Sequence, residues 1–157
     1  MSKIDFACCF TGHRIIAKDD MPKLSEDLLN TIEQLITEND VKYFCAGGAL
    51  GFDTMCAKAV LELKEKYPHI QLILILPCKN QTEKWKEKDI EVYNDILSKC
   101  DNHIYVEENY TKDCMLKRNR KMVDCVKYVI TYIRRDFGGS VYTKKYAESQ
   151  GKTVITL

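Results

Sequence analysis

The sequence predicts an α/β protein with an open, mostly parallel sheet of about six strands and helices on both faces. Strand-like and helix-like segments alternate along the chain, which is the order of a parallel sheet joined by helical crossovers. Residues 70–76 form a continuous aliphatic run, typical of a strand covered on both faces. At Gly47-Gly48 and again at Gly138-Gly139, paired glycines follow an apolar run and precede a helical pattern.

The first half of the chain predicts two strands and two helices. Residues 5–11 and 43–46 are short apolar runs that suit buried strands. One helix is predicted after Met21-Pro22 and another from about Gly51. The first helix has apolar side chains at helical spacing, namely Leu24, Leu28, Ile32, Leu35 and Ile36.

The second half continues the alternation after the aliphatic strand, which Pro77 ends. Further helices are predicted at 82–99, 112–125 and 141–150, and further strands at 104–106, 128–133 and 153–156. Gly151 is placed to cap the last helix. In an open parallel sheet, ligands bind beyond the carboxyl ends of the strands. The loops that follow strands are therefore the candidates for a site.

Length and charge restrict the class of protein. We expect one domain, residues 1–157, that is long enough to bury a core. The formal net charge of +1 does not indicate a strongly basic nucleic-acid binder. The N-terminus lacks a signal-peptide pattern, and no apolar run is long enough to span a membrane. We therefore expect a cytoplasmic protein with no membrane partner.

Eight cysteines occur without a C-x-x-C pair or a Cys/His cluster of zinc-like spacing. Buried free thiols behave as small hydrophobic groups. We therefore predict no metal site and no disulfide.

The glycine junctions are the first candidate site. Glycine after a strand lets backbone N–H groups approach an anion, and the helix N-terminus adds a favourable partial charge. The candidate ligand-binding residues are Gly47, Gly48, Ala49, Leu50, Gly51 and Asp53 in the first junction, and Gly138, Gly139 and Ser140 in the second. The alternative is a tight turn that needs left-handed backbone angles. Asp53 either stabilises the helix terminus or faces a sugar or the partner loop.

Two further segments supply candidate ligand contacts. Gly12, His13 and Arg14 follow the first strand and offer donors for phosphate or carboxylate, the alternative being an exposed polar turn. His13 is also a candidate acid or base. Trp85, the single tryptophan, is either a platform for a stacked base or a helix residue packed on the sheet.

The basic segment 112–125 contributes one more candidate pair. On a helix, Arg118 shares a face with apolar residues and is expected along the buried edge, as a cleft residue with Asn119 as its polar partner. Arg120 and Lys121 are expected in solvent.

These motifs resemble those of a known superfamily. Residues 46–53, Ala-Gly-Gly-Ala-Leu-Gly-Phe-Asp, resemble the S-G-x-A-x-G-I-D motif of bacterial DNA-processing proteins, which load recombinase during transformation. Residues 118–123 resemble their N-R-x-I-A segment, and residues 139–154 resemble their G-S-x-x-T-A-x-x-A-x-x-x-G-R-x-V stretch. The "lonely guy" phosphoribohydrolases share the two-loop plan. Together these proteins form the SLOG superfamily of Rossmann-like nucleotide-binding domains.

The YpsA-like branch of small stand-alone SLOG proteins is closer still. The shared pieces are residues 10–14, the first glycine loop, Trp85, residues 110–124 and residues 138–140, so the resemblance covers nearly the whole chain. It implies a Rossmann-like nucleotide-binding domain.

One departure from the phosphoribohydrolases concerns catalysis. Their P-G-G-x-G-T-x-x-E motif carries a catalytic glutamate. Aligning Gly139-Ser140 with the Gly-Thr of that motif places Thr143 at the glutamate position. The match supports a phosphate loop that includes Thr143 and puts hydrolase activity in doubt. A general acid or base would have to be His13 or Asp53.

The leading hypothesis is binding of a nucleotide or a nucleotide-derived, ADP-ribose-like phosphate ligand by a sensor, sequestering or regulatory protein. The alternative is an N-glycoside hydrolase acting on a nucleotide, and the weakest reading is a single-stranded nucleic-acid binding module. The expected partner is a nucleotide-derived small molecule, nucleic acid is disfavoured, and no resident cofactor is expected. The sequence leaves a homo-oligomer open.

Overall fold

Six parallel strands and five α-helices alternate in a computed structural model of the chain, which describes residues 2–157. The strands are β1 (Ala7–Gly12), β2 (Tyr43–Ala46), β3 (Gln71–Leu76), β4 (Asn102–Tyr105), β5 (Tyr128–Tyr132) and β6 (Thr153–Thr156). The helices are α1 (Met21–Asn39), α2 (Phe52–Lys66), α3 (Glu87–Lys99), α4 (Cys114–Asp124) and α5 (Gly139–Ser149). The predicted Rossmann-like α/β class is confirmed.

The sheet has the order β4-β3-β2-β1-β5-β6, and every neighbouring pair is parallel. The chain starts at β1, moves outward to β4, and then returns to the other side of β1 to add β5 and β6. The order therefore reverses between β1 and β5. In sheets of this type, the loops that leave the two strands diverge at the reversal and open a crevice at their carboxyl ends.

The side chains of β1 show how both faces of the sheet are covered. Cys8 and Phe10 belong to the core formed with α1, α2 and α3, whereas Ala7 and Cys9 belong to the core on the opposite face with α4 and α5. This alternation follows from the two-residue repeat of a strand. All four side chains are at most 3% exposed, so β1 is a central strand.

Several element boundaries differ from the predicted ones. Asp5 and Phe6 lie in a short 3-10 helix, Lys3–Phe6, and the first strand begins only at Ala7. The helix predicted at 82–99 begins at Glu87, because Lys86 has extended backbone angles and the residues before it form turns. Glu87 then supplies an acidic side chain to the first helical turn, where the helix dipole favours negative charge.

The predicted cap at Gly151 is confirmed. Gly151 has a φ of 72°, and its N–H donates to the carbonyl of Glu148 at 3.1 Å. The N–H of Lys152 donates to the carbonyl of Ala147 at 3.0 Å. The two bonds form a Schellman motif, in which glycine adopts the left-handed conformation without steric cost.

No helix within residues 2–157 combines the length and the apolar character needed to cross a membrane.

Candidate functional site

Three loops and one helix face enclose a cleft where the strand order reverses. Its volume is about 410 Å³. It is lined by Phe10, Thr11, Gly12, His13, Arg14 and Ile15 from β1 and the loop after it, Ala49 and Asp53 at the start of α2, Met115, Leu116, Arg118 and Asn119 from α4, and Arg135, Gly139 and Ser140 around the start of α5. All of the segments predicted to supply ligand contacts, except that of Trp85, therefore contribute residues to one cavity.

The loop after β1 is held against the N-terminus of α2. A Cβ at Gly12 would lie 2.6 Å from Cγ of Phe52, and a Cβ at Gly51 would overlap the backbone carbonyl of Arg14. Gly51 also has a φ of 79°. The N–H of Phe52 donates to the carbonyl of His13 at 3.1 Å. Close backbone approach, in addition to turn geometry, explains why glycine occurs at these two positions.

His13 is buried, with 6% of its surface exposed, and its ring joins the two loops at the reversal point. Its Nε2 accepts a hydrogen bond from the backbone N–H of Arg134 at 2.8 Å. Burial, together with the positive charges of Arg135 and Arg134, lowers the pKa of His13. The ring is therefore neutral at pH 7 with its proton on Nδ1, because a second proton on Nε2 would face another donor.

A buried ionic cluster lies beneath the first glycine loop. Arg118 donates from Nη1 to the carbonyl of Gly47 and from Nε to Oδ1 of Asn119 at 2.7 Å. Oδ2 of Asp53 accepts from the N–H of Ala49 at 3.2 Å. A Cβ at Gly47 would lie 2.7 Å from Cζ of Arg118 and 2.8 Å from Oδ2 of Asp53. Gly47 is thus required for space, because any side chain there would displace this cluster.

Burial acts on both charged members of the cluster. It raises the pKa of Asp53, with the opposite charge of Arg118 working against the rise. Burial likewise lowers the pKa of Arg118, with Asp53 opposing. The guanidinium stays charged because its intrinsic pKa is very high. The structure buries Arg118 at 4% exposure, as its helical spacing predicts, and exposes Arg120 and Lys121.

Two more arginines lie at the mouth of the cleft. Nη2 of Arg14 and Nη2 of Arg118 each contact Sδ of Met115 at 3.9 Å, so the methionine lies between the two guanidinium groups. The guanidinium of Arg135 lies 4.8 Å from the ring centre of Phe137, and its Nε donates to the carbonyl of that residue at 3.2 Å.

The N-terminus of α5 opens onto the cleft. Gly138 precedes the helix with a φ of 105°, a conformation that L side chains rarely adopt. Gly138, the N-cap residue, has no side chain with which to cap the helix, and a Cβ at Gly139 would meet no atom of the described residues within 4 Å. The first N–H groups of a helix have no partner within it, so an anion is favoured at this end.

Several predicted site residues do not line this cleft. Leu50, Gly51 and Trp85 line a separate cavity of about 520 Å³ that is bordered by α1, α2 and α3. Trp85 packs edge-on against Tyr93 there, with ring centres 5.6 Å apart. Thr143 is fully buried and donates to the carbonyl of Gly139 at 2.8 Å, within its own helix.

Three predicted glycines lie next to the cleft without lining it. Gly47 supports it through the ionic cluster. Gly48, with a φ of 76°, accepts from Nε2 of Gln81 at 3.4 Å on the far side of the loop. Gly138 sets the entry to α5 and lies against Arg135, whose Nη2 would be 3.3 Å from a Cβ at this glycine.

The structure adds cleft residues that sequence reasoning missed. They are Phe10, Thr11, Ile15, Met115, Leu116 and Arg135. Arg135 lies between a predicted strand and a glycine pair, a position typical of a ligand-binding loop, but nothing in its local sequence distinguishes it as a cleft residue. Ile15 and Leu116 are apolar residues in exposed positions, and no periodic pattern in the sequence indicates that they line a cleft. Among the described residues, no group of three or more His, Cys, Asp or Glu side chains is arranged to hold a metal ion.

Comparison with known proteins gives a family and a set of relatives. The YpsA family, described as the YspA SLOG family, matches residues 9–154. The chain is 32% identical over 140 residues to the uncharacterized SPbeta prophage-derived protein YoqJ of Bacillus subtilis, covering 82% of each protein. It is 40% identical over 70 residues to a UPF0398 protein of Brevibacillus brevis, covering 43% of this chain and 37% of that protein. The chain therefore spans well under half of this longer relative.

Two solved structures share the fold over nearly the whole chain. DNA processing protein A of Streptococcus pneumoniae has a TM-score of 0.68 at 20% identity, covering 98% of this chain and 51% of that one. DNA processing protein A of Helicobacter pylori, a structure described in terms of its single-stranded DNA binding mode, has a TM-score of 0.71 at 18% identity, covering 98% and 65%. The family match over residues 9–154 and the similarity to YoqJ together show that the chain belongs to the YpsA family of SLOG proteins.

Proposed function

We propose that the protein binds a nucleotide or a nucleotide-derived, ADP-ribose-like phosphate ligand in the cleft between the carboxyl ends of β1 and β5, as a sensor, sequestering or regulatory protein. One observation carries the proposal. Arg14, Arg118 and Arg135 come from three separate segments and line one cavity together with the uncapped N-terminus of α5. Guanidinium groups and helix N-termini are the two protein features best suited to phosphate.

The charges of the cleft favour a ligand with more than one negative charge. The described residues that line it include three arginines and one aspartate, Asp53, which leaves two positive charges unbalanced. Neutral His13 adds no charge. Arg118 is balanced by the buried aspartate beneath the loop. Arg14 and Arg135 supply the excess, and both are exposed.

Retention of a nucleotide by the purified protein tests the proposal. The protein is incubated with AMP, NAD, ADP-ribose and cyclic nucleotides and then ultrafiltered, and both fractions are chromatographed. We expect at least one of these compounds to be retained intact by the wild-type protein. If none is retained by wild-type protein, the proposal is wrong.

The matched variants are Gly139→Glu and Gln150→Glu. The first places a carboxylate at the cleft end of α5, where a Cβ has open space and φ is not positive. The second makes the same charge change just beyond the other end of this helix. Gly139→Glu should weaken retention by roughly tenfold or more through like-charge repulsion, with Gln150→Glu unchanged. Equal retention by the two variants would contradict a phosphate at the helix N-terminus.

Hydrolysis of an N-glycosidic bond is a second candidate function, favoured by the hydrogen bonding and protonation state of His13. Because its Nε2 is already an acceptor for Arg134, the neutral ring offers Nδ1–H as a hydrogen-bond donor that would stabilise a departing base, while water attacks the ribose carbon and supplies the proton that the base takes up. The same chromatography detects it as free base. A His13→Gln variant that retains nucleotide but releases no base would support this candidate. Undiminished base release in that variant would exclude His13 as this hydrogen-bond donor.

A further inference from the structure

Exposed apolar side chains form a rim at the mouth of the cleft, beside the exposed guanidinium groups of Arg14 and Arg135. Among the described residues, eight large apolar or aromatic side chains are exposed, and those with the largest exposed fractions are Ile15 at 86% and Phe137 at 65%. Ile15 lines the cleft, and Phe137 packs on Arg135, which also lines it. Leu116, at 38% exposure, lines the cleft as well. Three of these eight side chains, including the two most exposed, therefore lie at or beside the charged cavity.

Three different elements supply this rim. Ile15 belongs to the loop after β1, Leu116 to the first turns of α4, and Phe137 to the loop between β5 and α5. Ile15 and Leu116 are adjacent in sequence to Arg14 and Met115, which contact each other. The apolar rim therefore borders the guanidinium groups on their solvent-exposed side. Packing within the fold does not explain such exposure, and exposed apolar groups around a cleft are typical of a binding surface.

We propose that this rim is a base-binding subsite, so that the ligand is a nucleoside phosphate whose nucleobase packs on Ile15, Leu116 and Phe137 while its phosphates occupy the arginine-lined cavity. The inference rests on the proposed function and adds where the nucleobase binds, which the phosphate site does not specify. A nucleobase is planar and largely apolar on its faces, so that it matches a rim of aliphatic and aromatic side chains. The rim then takes the base-stacking role that the sequence suggested for Trp85, because Trp85 lines a different cavity.

The test compares nucleoside diphosphates with pyrophosphate, which has the same phosphates but no base. Affinities of ADP, GDP and UDP are measured by isothermal titration calorimetry alongside pyrophosphate. The variants are Ile15→Ser combined with Leu116→Ser, and Phe137→Ser. The control is Ile104→Ser, at a residue of the edge strand β4 whose exposure of 36% is close to that of Leu116.

The wild-type protein should bind at least one nucleoside diphosphate more tightly than pyrophosphate. The variant that combines Ile15→Ser with Leu116→Ser should weaken binding of that nucleotide by roughly tenfold and leave pyrophosphate binding unchanged. Phe137→Ser should weaken nucleotide binding more than pyrophosphate binding, because the ring of Phe137 also packs on Arg135. The control Ile104→Ser should leave both affinities unchanged. Because these side chains are at least 38% exposed, the rim variants should lower the melting temperature no more than the control Ile104→Ser, whose side chain is 36% exposed. This check separates a lost subsite from a damaged fold.

Two results would overturn the inference in distinguishable ways. Pyrophosphate binding with no gain from any base, or rim variants that weaken pyrophosphate as much as the nucleotide, would overturn the subsite while leaving the phosphate site standing. Failure of the wild-type protein to bind any of the four probes would contradict the phosphate site, and the subsite would fall with it.

Discussion

Replacing Gly47 with alanine tests whether the buried cluster beneath the first glycine loop has the packing described above. A Cβ at this position would lie 2.5 Å from Nη1 and 2.7 Å from Cζ of Arg118, and 2.8 Å from Oδ2 of Asp53. Carbon atoms do not approach buried neighbours so closely, and Arg118, at 4% exposure, has little room to retreat. The guanidinium must therefore shift and lose its hydrogen bond to the carbonyl of residue 47.

Two contributions set the size of the effect. Overpacking of a close-packed interior costs about 1–3 kcal/mol. Disturbing a buried hydrogen bond that involves a charged group costs about 1.5–3 kcal/mol. Because the same displacement causes both, we expect a loss of about 3 kcal/mol in the free energy of unfolding. In a chain of this size, that loss lowers the melting temperature by about 6–12 °C.

The control is the same substitution at a glycine with space. A Cβ at Gly139 would meet nothing within 4 Å, and the residue begins α5 without a positive φ. Gly139→Ala should therefore be neutral or stabilise the protein by about 0.5–1 kcal/mol. Urea unfolding of both variants is followed by circular dichroism and by the fluorescence of Trp85, the single tryptophan. If Gly47→Ala unfolds at the same urea concentration as Gly139→Ala, the packing argument is refuted.

Three further predictions concern the buried polar groups. Arg118→Met should cost about 1–3 kcal/mol in urea unfolding, because it removes the hydrogen bond to the carbonyl of Gly47 and the stronger of the two arginine charges that act on buried Asp53. Adding Asp53→Asn should restore part of the loss, and a double variant no more stable than the single one would contradict the coupling. Thr143→Glu should lower the melting temperature and release no more free base than the wild type in the chromatographic assay, because Thr143 is fully buried and hydrogen-bonded within α5. More base released than by the wild type would show that the side chain reaches the cleft. Because burial lowers the pKa of His13 below its ordinary 6.5, the unfolded chain takes up a proton that the folded chain disfavours, and stability should fall as pH drops below 6.5. The urea midpoint of wild-type protein should fall between pH 7.5 and 5.5 by more than that of His13→Gln, and equal falls would refute the role of this ring.

The fold was predictable because its signals are local and repeated. The aliphatic run that became β3 and the regular apolar spacing of α1 each encode their own secondary structure, whatever lies around them. Gly151 was predictable as a cap for the same reason, since the requirement for left-handed backbone angles belongs to that residue alone. Boundaries such as the start of α3 at Glu87 were not, because helix ends depend on a few weak contacts.

The candidate site was predictable in part. Arg118 could be placed on the buried edge from its spacing on α4, and His13 and Arg14 from their position after β1. Trp85 could not be placed, because a residue in a turn before α3 has no periodic pattern to show which cavity it lines. Arg135 was missed because an exposed arginine in a loop has the same local signature whether or not a cleft lies beside it.

The sequence by itself determined the alternation of strands and helices, the glycine-containing ends of β2 and β5, and the chemistry available in the loops, since all of these depend on neighbouring residues. Tertiary structure alone decided the strand order, and with it the meeting of β1 and β5 at the reversal point. That meeting brings Arg14, Arg118 and Arg135 to one cavity and leaves Trp85 in another. The physical reason is that strand order depends on how all the helices and strands together bury both faces of the sheet. The local sequence of one strand does not show which strands will lie beside it.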